Sequence, residues 1–388
     1  MTLNRRTFIK AAAGAAGAAA LPLTARAQFT RGMQQPLTIA VNVPLSHNGA
    51  NAGIDIQNGV AAAIDEVNRT GGTFGTAFQI RPIDDMDALA QSMVNVQYAA
   101  SDSTCVAVIG GFDGNLISAS LQAYADAQMP LIVPGSTADA VTNRGYRNVW
   151  RLPTKDSTEG SLAAQFIAQR AKPKMAVAVS QDGDYGADVV QGFITMAHSS
   201  KMTADGYVFP VEKPDFATAA ARIMTKSPDF IYLAGDSNAL GPIIPALRAA
   251  GFKGKFGGSQ GFYNQGALAH AEDLEGSIIS TSMPPLDRAP DFANQLADFR
   301  ARYPVTSMSA YGYAAAQIVM AAVRRNGTTN RLATLSALQS LSASYNTIVG
   351  SYQFAYNGDP VDPLVYFYTV TNGKFKFIAP SHVTSFVL

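Results

Sequence analysis

A single cysteine, four scattered histidines and the lack of any long apolar run past the N-terminus remove several function classes at once. With Cys105 alone, no intramolecular disulfide can form. Its setting, Thr104-Cys105-Val106-Ala107-Val108-Ile109, reads as a buried strand carrying a packed thiol rather than a reactive one. His47, His198, His270 and His382 stand apart with no Cys/His spacing, so no metal site is expected. Asp182-Gly183-Asp184 lacks the remaining ligands of a calcium loop. No G-x-G-x-x-G and no Walker A sequence occurs, which argues against a nucleotide-dependent enzyme and leaves no cofactor expected. Past residue 27 the longest apolar stretch, Tyr311 to Val323, is interrupted by Gln317 and followed by Arg324-Arg325, short of the roughly 18 residues a membrane span needs.

The most informative stretch present is Arg5-Arg6-Thr7-Phe8-Ile9-Lys10 followed by the Ala/Gly run to Ala20. Paired arginines before a weakly apolar segment have the layout of a twin-arginine export signal. Small residues at Ala25 and Ala27 suit a signal peptidase, so residues 1–27 are expected to be removed before Gln28, leaving 361 residues outside the cytoplasm. That removal takes four basic residues and no acid, moving the formal net charge from +1 to −3. Neither nucleic acid nor an anionic membrane is therefore an expected partner. With 47% hydrophobic residues, the remainder can bury a large core, and its length suggests two domains.

Short β-branched apolar runs alternate with helical patterns. Leu37–Val43, Phe78–Ile83, Val106–Ile109 and Leu131–Val133 read as strands; Val60, Ile64 and Val67 mark one intervening helix, and Leu89, Met93 and Val96 another. The series restarts with Met175–Ser180, a helix over 185–200, and strands at Tyr207–Val211 and Phe230–Ala234. Such alternation predicts an α/β fold of mainly parallel sheets in two similar lobes. Three helical patterns near 291–303, 309–324 and 331–343 follow Ile278-Ile279-Ser280, and strands at Tyr352–Ala355, Leu364–Val370 and Phe375–Ile378 close the chain. Helices without strands cannot form a sheet domain, so they are expected to return to the first lobe. Three crossovers, near 152–156, 281–285 and 348–352, then supply a hinge. The expected lobes are 28–153 plus 284–349, and 154–283 plus 350–388.

Pro44-Leu45-Ser46 and the run Asn58 to Asn68 resemble the opening of the leucine/isoleucine/valine-binding family of type I periplasmic solute-binding proteins. Val108-Ile109-Gly110-Gly111, Val133-Pro134-Gly135-Ser136-Thr137, Arg144-Gly145-Tyr146 through Arg151, Asp184-Tyr185-Gly186, Gly350-Ser351-Tyr352-Gln353-Phe354 and Asn357-Gly358-Asp359 extend the resemblance over nearly all of 37–380. It implies two Rossmann-like lobes joined by three crossovers, with a small carboxylate-bearing ligand clamped between them. The implied partner is the membrane permease of an ABC importer, and a monomer is expected. Strand C-termini and helix N-termini meet at one sheet edge, where free N–H groups favour carboxylates.

The resemblance also places the ligand residues. Gly114 stands where the family offers a serine hydroxyl, so the Gly114 and Asn115 amides or the Asn115 side chain would have to replace it; a plain glycine turn is the rival reading. Gly135 would turn a carbonyl to an ammonium, and Ser136 and Thr137 form the second ligand loop, Thr137 donating to a carboxylate; helix capping explains them equally well. Tyr185 is the implied cleft tyrosine. Gln260 replaces the glutamate that holds an α-ammonium, so either Asp236 takes that duty or the ligand has no α-amine. Ala52 replaces a bulky aromatic wall, and His47 lies on the first-strand loop, where it could face the cleft. With Phe112, Phe262 and Tyr263 aligned nearby, an aromatic or larger carboxylate is favoured over leucine.

Other classes compete. Gly257-Gly258-Ser259-Gln260-Gly261 matches the G-x-S-x-G nucleophile elbow, but Phe262-Tyr263-Asn264-Gln265-Gly266 is a poor helix start and only His270 and His382 follow. No catalytic residue is therefore expected. A ligand-sensing module for a signalling partner would use the same fold.

Overall fold

The computed structural model describes residues 35–47, 49–181, 184–210, 214–283, 285 and 293–382. The expected signal, its cleavage point and Asp182-Gly183 lie outside them.

The first sheet is parallel. Its strands β1 (Leu37–Val43), β2 (Phe78–Asp84), β3 (Cys105–Gly110), β4 (Leu131–Val133) and β5 (Val149–Arg151) lie in the order β2-β1-β3-β4-β5. All seven residues of β1 are buried, as the uninterrupted run LTIAVNV requires of a strand covered on both faces. The second sheet contains β6 (Ala176–Gln181), β7 (Ala204–Phe209), β8 (Phe230–Leu233), β9 (Lys255–Gly258) and β10 (Ile278–Thr281). These five are parallel in the order β7-β6-β8-β9-β10, the same winding as the first sheet. Strands β13 (Leu364–Thr371) and β14 (Lys374–His382) extend it antiparallel from β10.

Helices Ala293–Arg300, Ser307–Asn326 and Arg331–Leu338 do return to the first sheet: Leu296, Phe299, Tyr311, Ile318 and Leu338 share one core with Ile39, Val41 and Ile109. A separate two-stranded hairpin pairs β11 (Ser344–Thr347) with β12 (Gly350–Gln353). Phe354 still packs into that first core, so the return to the second sheet falls after 354, later than the 348–352 expected; β12 belongs with the first lobe.

Close helix pairing holds each lobe. Helix Ala50–Arg69 crosses Ser307–Asn326 so tightly that a Cβ on Gly59 would lie 2.0 Å from the Ser309 carbonyl, and one on Gly312 2.3 Å from that of Ile56. In the second lobe, helix Asp156–Arg170 crosses Asp184–Ser199 in the same way: Gly160 faces the Val189 carbonyl and Gly192 that of Ser157, each at 2.0 Å.

Candidate functional site

In a sheet wound 2-1-3-4-5 the connections diverge on either side of β1 and β3, opening a crevice beyond the strand C-termini. The two lobes turn these edges towards one cavity of about 470 Å³, within the range of small-molecule sites. From the first lobe come the loops after β3 (Phe112 to Asn115) and β4 (Gly135 to Ala138), with Ser307 and Met308 at a helix start. The second lobe contributes Asp156, Tyr185, Asp236, Gln260 and Gly261.

The charge of this lining is one-sided. Asp113, Asp156 and Asp236 face the cavity, and among the described residues no lysine or arginine does. Two of these acids are already employed: Asp113 caps its helix by accepting from the Asn115 and Leu116 N–H groups (2.8 and 3.0 Å), and exposed Asp236 accepts from those of Asn238 and Ala239 (2.8 and 3.4 Å). Asp156 differs. It is fully buried, and neither carboxylate oxygen has a hydrogen-bond partner. Burial pushes its carboxyl well above the usual range; the Thr137 side chain pulls the other way without reaching hydrogen-bonding geometry. One turn on, buried Glu159 accepts from the Gln260 N–H (2.7 Å) and the Ser280 hydroxyl (2.6 Å), and desolvation raises it to about 7.

Arg151, fully buried at the end of β5, fixes the loop after β4. It donates to the Thr137 carbonyl (3.0 Å), the Ala138 carbonyl and the Thr142 hydroxyl, and pairs with Asp359 at 2.6 Å. That pair ties the Arg144–Arg151 stretch to Asn357-Gly358-Asp359. Gly358 has φ 90°, and a Cβ there would lie 2.0 Å from the Val149 carbonyl.

Residues 36–374 match the periplasmic binding protein family profile. The chain belongs to the periplasmic binding protein family. A Leu/Ile/Val-binding protein homologue from Brucella melitensis is 25% identical over 88% of this chain and 92% of its own length. The leucine-binding protein structure from Thermotoga maritima superposes with a TM-score of 0.76 at 21% identity, covering 90% of this chain and 99% of that one. A solute-binding protein from R. palustris, solved with benzoate, gives 0.74 at 20% identity over 90% and 98%. Residues 2–22 match the twin-arginine translocation signal, so this solute-binding protein is exported to the periplasm by that route.

The cavity brings together Gly114, Asn115, Gly135, Ser136, Thr137, Tyr185, Asp236 and Gln260; Ala52 and the exposed His47, whose φ is 60°, do not line it. The Asn115 backbone amide is not free for a ligand, because Asp113 holds it. A serine at 114 would also be crowded: its Cβ would sit 2.5 Å from that of Ala138, so one of the two loops would have to shift. Phe262 and Tyr263 are absent from the lining as well. Phe262 is buried in the second core, and Tyr263 packs on Tyr368 and Phe375 at 4.3 and 4.9 Å between ring centroids. Among the described residues the aromatic wall is thus Phe112 and Tyr185.

Ser259, the centre of the elbow motif, is fully buried. Its Oγ accepts from the Tyr185 hydroxyl (2.8 Å) and the Gly235 N–H (3.1 Å), and a short 3-10 turn follows instead of a helix. The motif holds the cleft tyrosine in place, and Tyr185 in turn accepts from the Gly261 N–H (3.0 Å). Among the described residues no group of three His, Cys, Asp or Glu side chains is placed to hold a metal.

Sequence reasoning missed Asp156, Ser307 and Met308. For Asp156 the only signal was an acid at a helix start, which the helix dipole explains by itself.

Proposed function

We propose that this protein captures an amino-acid solute in the interlobe cavity, performs no chemistry on it, and delivers it to a membrane permease of an ABC importer when the lobes close. The carrying observation is Asp156: a buried carboxylate without a partner, in a cavity whose described lining holds acids and no lysine or arginine. A ligand ammonium supplies what that carboxylate lacks, through a charge-assisted hydrogen bond. A solute with a carboxylate and no amine would leave Asp156 without a partner and would meet no lysine or arginine among the described lining residues. The ligand carboxylate is met from the first lobe by the Ser136 and Thr137 hydroxyls and the Gly114 N–H. Phe112, Tyr185 and Met308 suit an apolar or aromatic side chain. This revises the preference for an aromatic acid drawn from Gln260, because Asp156, not Asp236, takes the role of the missing glutamate.

The test is a thermal-shift panel of matched pairs on the mature chain stripped of bound solute: leucine with 4-methylpentanoate, and phenylalanine with 3-phenylpropanoate. At about 100 times Kd a ligand stabilises by about 2.7 kcal/mol, a shift of several degrees. The amino acids should shift the transition and their desamino partners should not. Equal or larger shifts from the desamino acids would overturn the reading.

A further inference from the structure

Gln260 lines the cavity, yet half of its amide is committed elsewhere. Its Oε1 accepts from the Ser282 backbone N–H at 3.0 Å and also from the Ser282 hydroxyl. A backbone N–H can only donate, so the atom facing it must be the amide oxygen. Reversing the amide would set two donors against each other. Ser282 is itself held from the first lobe, since its carbonyl accepts the Tyr311 hydroxyl at 2.7 Å, and both residues are buried. The Gln260 backbone N–H is fixed as well, on Glu159.

We propose that Ser282 sets the polarity of position 260: by occupying Gln260 Oε1 it leaves only the amide N–H groups for the solute. The solute therefore meets Gln260 with a hydrogen-bond acceptor, a carboxylate or carbonyl oxygen, and is barred from placing its ammonium there. Specificity is thus divided between two residues of the second lobe. Asp156 selects the cation and Gln260 selects the oxygen. This division rests on the amino-acid reading above, whereas the Ser282–Gln260 geometry does not.

Two measurements test it. The first needs no ligand: hydrogen exchange at the Ser282 amide should quicken by about tenfold or more in Gln260→Leu and stay slow in Gln260→Glu, which keeps an acceptor oxygen. Unchanged exchange in Gln260→Leu overturns the proposal. The second is calorimetric titration of Gln260→Glu with the same matched pairs. Glutamate keeps one oxygen on Ser282 and turns the other, an acceptor, to the cavity. The ratio of amino-acid to desamino affinity should rise by ~10-fold or more, as a new charge-assisted bond implies. An unchanged or reduced ratio contradicts the proposal. Asp156→Asn separates the two ideas, because retained amino-acid binding there would refute the ammonium assignment while leaving the exchange result standing.

Discussion

In the first lobe, Gly59 and Gly312 let the helix after β1 lie backbone to backbone against its partner. In the second, Gly192 and Gly160 do the same for the helix after β6. The sheets share one winding. What the lobes present to the cavity is nevertheless opposite. The first presents hydroxyls at Ser136 and Thr137 on a loop fastened by Arg151, and spends the acid it does carry, Asp113, on its own helix. The second presents Asp156 without a partner, backed by buried Glu159. The skeleton is dictated by strand runs and close-contact glycines. The chemistry is dictated by single residues at strand ends, and one skeleton carries both characters.

Each lobe can be perturbed separately. The largest effect is expected from Arg151→Met, which leaves Asp359 only the more distant Lys155 at 3.9 Å and removes the bond that holds the Thr137 carbonyl. The loss should be about 3–5 kcal/mol, read from the denaturant midpoint. A loss below 1 kcal/mol would show that the loop is held by something else.

Next is Glu159, the buried support of the other lobe. Burial raises it from 4.5 to about 7, so the folded chain binds this proton more tightly than the unfolded one. Its contribution is fully present below pH 4.5 and is lost as pH rises through 7, a decline of ~3 kcal/mol at 1.36 kcal/mol per pH unit. Asp156 pushes in the same direction. Urea midpoints at pH 5 and 8 should therefore fall with pH, and Glu159→Gln should flatten the fall by about that amount. A wild-type midpoint that rises from pH 5 to 8 would contradict the buried-acid account.

The smallest effect concerns the loop after β3. Gly114→Ser should cost about 1–2 kcal/mol through its clash with the Ala138 Cβ, and Gly114→Ser with Ala138→Gly should recover most of it. Full tolerance of the single substitution would mean that the two first-lobe loops do not constrain each other.

Most of the skeleton was legible because its signals are local. LTIAVNV, rich in β-branched residues, forms the buried strand β1, and the helix ending before Gly71-Gly72 runs over Ala50–Arg69. Three strands were not expected, for physical reasons: β5 is three residues long, β11 is the short and mainly polar Ser344-Tyr345-Asn346-Thr347, and β9 ends in Gly257-Gly258, where the small side chains that weaken strand propensity allow close packing against Ile278 and Phe262. The site was legible only in part. Ser136, Thr137, Tyr185 and Gln260 could be placed because motifs carried them, whereas Lys155-Asp156-Ser157-Thr158-Glu159 reads as an ordinary acidic helix start. Only the first crossover, which swings that helix across to the second lobe, turns Asp156 into the cavity. Phe262 and Tyr263 show the converse. Their proximity to Gln260 in sequence suggested a pocket wall, and the 3-10 turn at 260–262 sends Phe262 into the core instead.

The most direct test of the central claim is calorimetric titration of leucine and phenylalanine into wild type and Asp156→Asn, in two buffers of different ionisation enthalpy near pH 7. An ammonium bound to Asp156 draws its raised pKa back down, so wild type should release protons on binding. Asp156→Asn should bind about 10- to 100-fold more weakly and release fewer. Undiminished affinity in Asp156→Asn, with unchanged proton release, would contradict the account.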